Sequence, residues 1–99
     1  MNRMAIQSKV ATVSTTVIVM DDFSFTSGYV NTARGVLVSA WDHDVLLTFD
    51  GTDPSIGTGL GHPISANTWH EIEGIENIPR IKLVRAGATD ALVTITLLR

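Results

Sequence analysis

The stretch Val45-Leu46-Leu47-Thr48-Phe49-Asp50-Gly51-Thr52-Asp53-Pro54 decides the class of fold. Its first five residues are apolar or β-branched, and Asp50-Gly51 then supplies the positive φ angles of a tight turn. Pro54 has no amide hydrogen to continue a ladder, so the strand must end before it. Ser55 to Pro63 holds Gly57, Gly59 and Gly61 with no regular period, which predicts a long loop over 51–63 displayed on a stiff sheet. Along the strand Val45, Leu47 and Phe49 share one face, while Leu46, Thr48 and Asp50 share the other. The first set is expected to point into the core.

Working outward, Gly35 precedes a second apolar run, Val36 to Trp41, and Asp42-His43-Asp44 separates the two runs at the spacing of a hairpin. Val10 to Met20 is dense in Val, Thr and Ile, residues whose branched side chains suit a pleated surface, and reads as a strand broken near Ser14. From Phe23 to Tyr29 aromatics alternate with hydroxyls, which predicts a short edge strand or an ordered arm. Val30 to Arg34 has room for one helical turn. Thr68 to Glu73, Arg80 to Ala86 and Ala91 to Leu98 are further strands, with turns at 76–79 and 87–90. Strands and turns this closely spaced predict one all-β domain over 1–99, an antiparallel β-sandwich, Ig-like or jelly-roll-like, with little or no helix. Residues 1–9 read as a flexible N-terminal arm.

The chain of 99 residues suffices for a single core, burying roughly 60 to 70% of the unfolded surface. Charged residues make up only 17% of it, against about 25% in an ordinary domain, so some apolar surface is expected to meet a partner. A net charge of -3 with no basic run argues against binding a nucleic-acid backbone, which needs clustered Lys and Arg. The absence of cysteine excludes disulfides, thiolate metal sites and thiol nucleophiles. No segment reaches the roughly 18 apolar residues of a membrane span, and no signal-peptide pattern opens the chain, so the expectation is a soluble product made in the cytoplasm, with no membrane partner.

Groups able to carry chemistry are sparse. Asp42-His43-Asp44 places an imidazole between carboxylates, but turn geometry and solvation ask for the same residues. His62, His70, Glu71 and Glu73 form a second conceivable metal cluster that nothing in the spacing fixes at one place; His70 shares a strand face with Ile72 and reads as an interior or interface histidine. Asp50, Thr52 and Asp53 lack the spacing of a calcium loop and read as a capped turn. No serine stands in a nucleophile elbow, and Gly57-Thr58-Gly59-Leu60-Gly61 lacks the lysine of a phosphate loop. The expectation is therefore a protein that is not an enzyme and uses no cofactor or metal. Phe23, Phe25, Tyr29, Trp41, Trp69 and Leu98 are the interface candidates, because large aromatics dominate desolvated contacts and a chain closing on Leu97-Leu98 would fray unless tied down. Asp50, Gly51, Thr52, Asp53, Pro54 and His62 are the candidate loop residues.

Gly35 to Trp41, Val45 to Pro54, the loop to Gly61-His62-Pro63 and the closing strand Ala91 to Leu98 resemble, in order and character, the small all-β virion structural proteins of tailed bacteriophages. The likeness covers about Arg34 to Arg99. It implies a structural role without catalytic residues, as a capsid decoration or cement subunit on the phage shell, or alternatively at the neck, tail or fibre. The implied partners are the major capsid protein, other virion proteins and sister copies in a homo-oligomer, with a trimer as one fitting state; the implied place is the virion, after synthesis in the host cytoplasm. The strand ending in Asp-Gly-Thr-Asp-Pro is also similar to the Asp-Gly-Ser-x-Pro signature of small Ig-like modules appended to glycoside hydrolases. A third reading, a carbohydrate-binding β-sandwich module with Trp41, Trp69 or Tyr29 as stacking platforms, predicts exposed, coplanar aromatics.

Overall fold

The computed structural model describes residues 4–99. Its strands are β1 (Ala5–Val13), β2 (Ile18–Val19), β3 (Gly35–Ala40), β4 (Val45–Thr48), β5 (His62–Ile64), β6 (Thr68–Glu73), β7 (Lys82–Arg85) and β8 (Ala91–Leu98). They form two antiparallel four-stranded sheets, ordered β1-β8-β3-β6 and β2-β7-β4-β5. The pairings nest: β1 with β8, β2 with β7, β3 with β6, β4 with β5. A chain doubled into one long hairpin and then rolled into two sheets has this nesting, which is the jelly-roll topology. The sandwich is therefore of the jelly-roll kind and not the Ig-like one.

The core follows from strand alternation. Ala91, Val93, Ile95 and Leu97 of β8 face inward, as do Val36, Val38 and Ala40 of β3, and they meet Val45, Leu47, Ile64 and Leu83 from the other sheet. Each such side chain contributes about 1.5–3 kcal/mol when fully buried. β8 lies between β1 and β3, so the closing leucines are held by pairing on both sides, Leu97 buried and Leu98 half-buried.

Several expectations give way to this topology. Asp42-His43-Asp44 is not a hairpin turn; it carries the chain from β3 in one sheet to β4 in the other. Both apolar runs need an inner face, and a sandwich satisfies them as facing layers. Amides of distant segments tie the crossing: Leu92 N–H donates to Asp42 Oδ1 at 3.1 Å, Ala66 N–H to Asp44 Oδ1 at 2.7 Å, and Ala86 N–H to the Asp44 carbonyl at 3.0 Å. Ala5 to Lys9 is not a free arm but half of β1, paired with β8; the first three residues of the expected arm lie outside the described residues.

The segment 23–29 is neither an edge strand nor an arm. Val19 N–H donates to Asp22 Oδ2 at 2.8 Å, which stabilises a 3-10 helix over Met20–Phe23, and Ser24 ends it in the left-handed region at φ 59. This drives Phe23 into the core, where its ring stacks on Phe25 at 6.1 Å. The single helical turn anticipated near Val30 is α1 (Tyr29–Thr32). The break near Ser14 is present: β1 stops at Val13, and the Ser14 carbonyl accepts from Arg85 N–H at 2.9 Å.

Candidate functional site

The loop after β4 is not simply displayed; it is pressed against its own sheet. Thr48 Oγ1 donates to the Thr52 carbonyl, Thr52 N–H donates to Asp50 Oδ1 at 3.0 Å, and Gly51 supplies φ 88 for the turn. The Thr52 amide, followed by the Thr52 hydroxyl, holds the Asp50 carboxyl below the ordinary 3.8. Asp53 pairs with Lys82 Nζ of β7 at 2.8 Å. Gly61, at φ 133, lies so near the sheet that a Cβ there would stand 3.3 Å from Leu46 Cβ and 3.4 Å from Pro54 Cβ. Leu46, Thr48 and Pro54 are consequently buried, so β4 is covered on both faces although only Val45 and Leu47 point into the core. Phe49 lies beyond the strand and is half-buried against the core.

Asp50, Gly51, Thr52, Asp53 and Pro54 thus build the loop, while other residues are what it presents. Ser55 and Leu60 exchange backbone hydrogen bonds at 2.8 and 3.0 Å, closing a small hairpin. Its tip carries Ile56, 61% exposed, and Leu60, 44% exposed, and no charge occurs from Pro54 to Gly61.

On the outer face of the other sheet, Val10, Thr94, Ser39 and Trp69 lie in one row across β1, β8, β3 and β6. Trp41, just beyond β3, donates its amide to the Leu92 carbonyl at 3.0 Å and its indole Nε1–H to Thr94 Oγ1 at 2.7 Å. Trp41 is 56% and Trp69 64% exposed. The two indoles line one cleft of about 230 Å³, together with Ser39, Ala40, Asn67 and Thr68. Asn67 holds a left-handed φ of 64 and donates its amide to Ala40 O at 2.9 Å, and the Thr68 amide and hydroxyl both donate to Ser65 O. Among the described residues no ionisable side chain lines this cleft.

His62, His70, Glu71 and Glu73, which sequence spacing did not place together, do border one opening of about 480 Å³ between β5 and β6, over Leu47, Ile64 and Ile72. His62 stacks on Phe49 at 5.4 Å, which places it in this opening and not at the loop tip. His70 faces inward by register with Val38, yet β6 is an edge strand and leaves the imidazole exposed. Among the described residues no group of three or more His, Asp or Glu is arranged to hold a metal ion. At the β3–β4 crossing, hydrogen bonding from the Leu92 amide holds the Asp42 carboxyl below 3.8.

The chain matches no family model, no curated protein and no solved structure.

Of the aromatic interface candidates, Trp41 and Trp69 come together. Phe23 is corrected: at 3% exposure it is a core residue, because the 3-10 helix turns it inward. Phe25 packs partly buried against the same core, and Leu98 is half-buried in β8. Tyr29 opens α1, exposed, and does not line the tryptophan cleft. Ile56 and Leu60 escaped sequence reading, although two aliphatics flanking Gly57-Thr58-Gly59 in an uncharged loop were the available signal.

Proposed function

We propose that this protein is a non-enzymatic virion structural protein of a tailed bacteriophage, a capsid decoration or cement subunit that holds the shell through the hairpin bearing Ile56 and Leu60. The observation that carries the reading is that hairpin: a backbone-paired, charge-free loop that leaves Ile56 61% and Leu60 44% exposed. Aliphatic and aromatic anchors seated in a partner's pocket supply most of the energy of a protein contact, and a loop already ordered loses little entropy on binding. A depression beside the tip, lined by Thr15, Pro54, Val84, Arg85 and Gly87, extends the surface toward the roughly 800 Å² per partner of a specific interface. Repetition over a symmetric shell, or oligomerisation with sister copies, multiplies a modest contact through avidity. The virion itself is supported by the likeness of Arg34 to Arg99 to phage virion proteins and by a topology that viral capsid domains use. A neck, tail or fibre position is the same contact at a lower copy number per particle.

The test is co-sedimentation of purified protein with empty capsid shells, alongside light scattering of the free protein. Saturation at a fixed stoichiometry is expected, with Ile56→Asp and Leu60→Asp abolishing it while unfolding free energy stays within about 0.5 kcal/mol of wild type. Failure to bind shells, or binding that both variants retain, refutes the reading.

A further inference from the structure

The outer face opposite the loop carries a second built surface that shell docking does not use. We propose that the Trp41–Trp69 cleft is a carbohydrate-binding site taking a neutral sugar ring of a glycan, with indole against the C–H face of the ring and Ser39, Asn67 and Thr68 meeting its hydroxyls.

Three observations carry this. The cleft is preformed: Thr94 fixes the Trp41 ring, and the hydrogen bonds at Asn67 and Thr68 fix the opposite wall, so little ordering is needed on binding. Its remaining hydrogen-bonding capacity is neutral, since the Trp69 indole N–H and the Asn67 carboxamide make no hydrogen bond within the described residues. A carboxylate or phosphate ligand would call for Arg or Lys, and among the described residues none lines the cleft. The surrounding face alternates its apolar groups with hydroxyls, Ser8, Thr12, Thr94 and Thr96 across β1 and β8, whereas the centre of a protein interface is apolar. A ligand with apolar faces and a rim of hydroxyls fits a cleft with the same two properties. Because the tryptophans and the Ile56–Leu60 tip lie on opposite outer faces, both can be occupied at once.

The experiment titrates the free protein with maltohexaose, cellohexaose and chitohexaose and follows tryptophan emission. A saturable change with at least one oligosaccharide is expected, weakened at least about tenfold in Trp69→Ala and largely kept in Trp69→Tyr. No saturable change with any of the three up to about 10 mM, or an unaltered titration in Trp69→Ala, overturns the proposal. Loss of shell binding in Trp69→Ala without any sugar response also overturns it, by making this face a protein contact. The titration uses no shells, so failure of the docking reading leaves its result intact.

Discussion

Replacing Gly61 by alanine isolates the contact that holds the loop against its sheet. Gly61 sits at φ 133, a region L-residues rarely enter, and such backbone strain amounts to about 1–3 kcal/mol. The added methyl would also stand 3.3 Å from Leu46 Cβ and 3.4 Å from Pro54 Cβ, two buried groups with little room to yield. Reduced freedom of the unfolded chain returns about 0.4–1 kcal/mol, leaving a net loss near 2 kcal/mol. Gly59→Ala is the matched control: φ is 71 but none of the described residues comes within 4 Å of an added Cβ, so only left-handed strain remains, about 1 kcal/mol or less after the same offset. In a domain of this size 2 kcal/mol lowers Tm by roughly 8–16 °C. Urea denaturation of both variants measures the difference directly, and limited proteolysis between residues 50 and 61 reports whether the loop has lifted. A Gly61→Ala variant no less stable than Gly59→Ala would refute the claim that close packing on Leu46 and Pro54 fixes the loop.

Phe23→Ala should lose about 3–5 kcal/mol, the range for fully buried aromatics, whereas Phe49→Ala, with its ring only half-buried, should lose about half as much. The reverse order in chemical denaturation would overturn the placement of Phe23 in the core. The Asp42 carboxyl lies below its ordinary value in the folded protein, so its contribution is fully present above 3.8 and is lost as pH falls through the lowered folded-state pKa. Asp42→Asn should therefore lose less stability than wild type between neutral pH and the acid range below 3.8; parallel acid profiles would contradict the Leu92 tie.

Most strands are legible because their β-branched and apolar runs end at turn residues such as Asp50-Gly51, but β5 is not: Gly61-His62-Pro63 reads as the end of the 51–63 loop, whereas His62 and Pro63 pair with β4, and Pro63 is accommodated because β5 is an edge strand. Which strands pair was not legible, since Val36 to Trp41 followed by three polar residues and Val45 to Phe49 suits a hairpin as well as an arch between sheets. The arch wins through distant donors, the Leu92, Ala66 and Ala86 amides, and no local spacing announces them. Period two places Leu46 and Thr48 on the outward face, where they do lie; their burial comes from a loop that returns over them, a tertiary event outside the period. The tryptophan cleft was half legible: the indoles stood out as large and costly to expose, but 28 positions separate them, and only the β3–β6 register brings them together.

The two outer faces differ because the two sheets differ in length. β1, β8, β3 and β6 run to 9, 8, 6 and 6 residues, enough for the sheet to hold its own register with an uncovered outer face. β2, β7, β4 and β5 have only 2, 4, 4 and 3 residues, and their outward pair Leu46 and Val84 would meet water unless something covered it. The loop of residues 49–61 supplies that cover, which explains why a connection between adjacent antiparallel strands is far longer than the two to five residues a hairpin needs. Its covering role rests on Thr48, Asp50, Asp53, Pro54 and Gly61, whereas Ile56 and Leu60 at its tip keep 61% and 44% of their surface in water. Structural demand therefore accounts for the base of the loop and leaves its tip unexplained, and that remainder is the reason to look for a partner there.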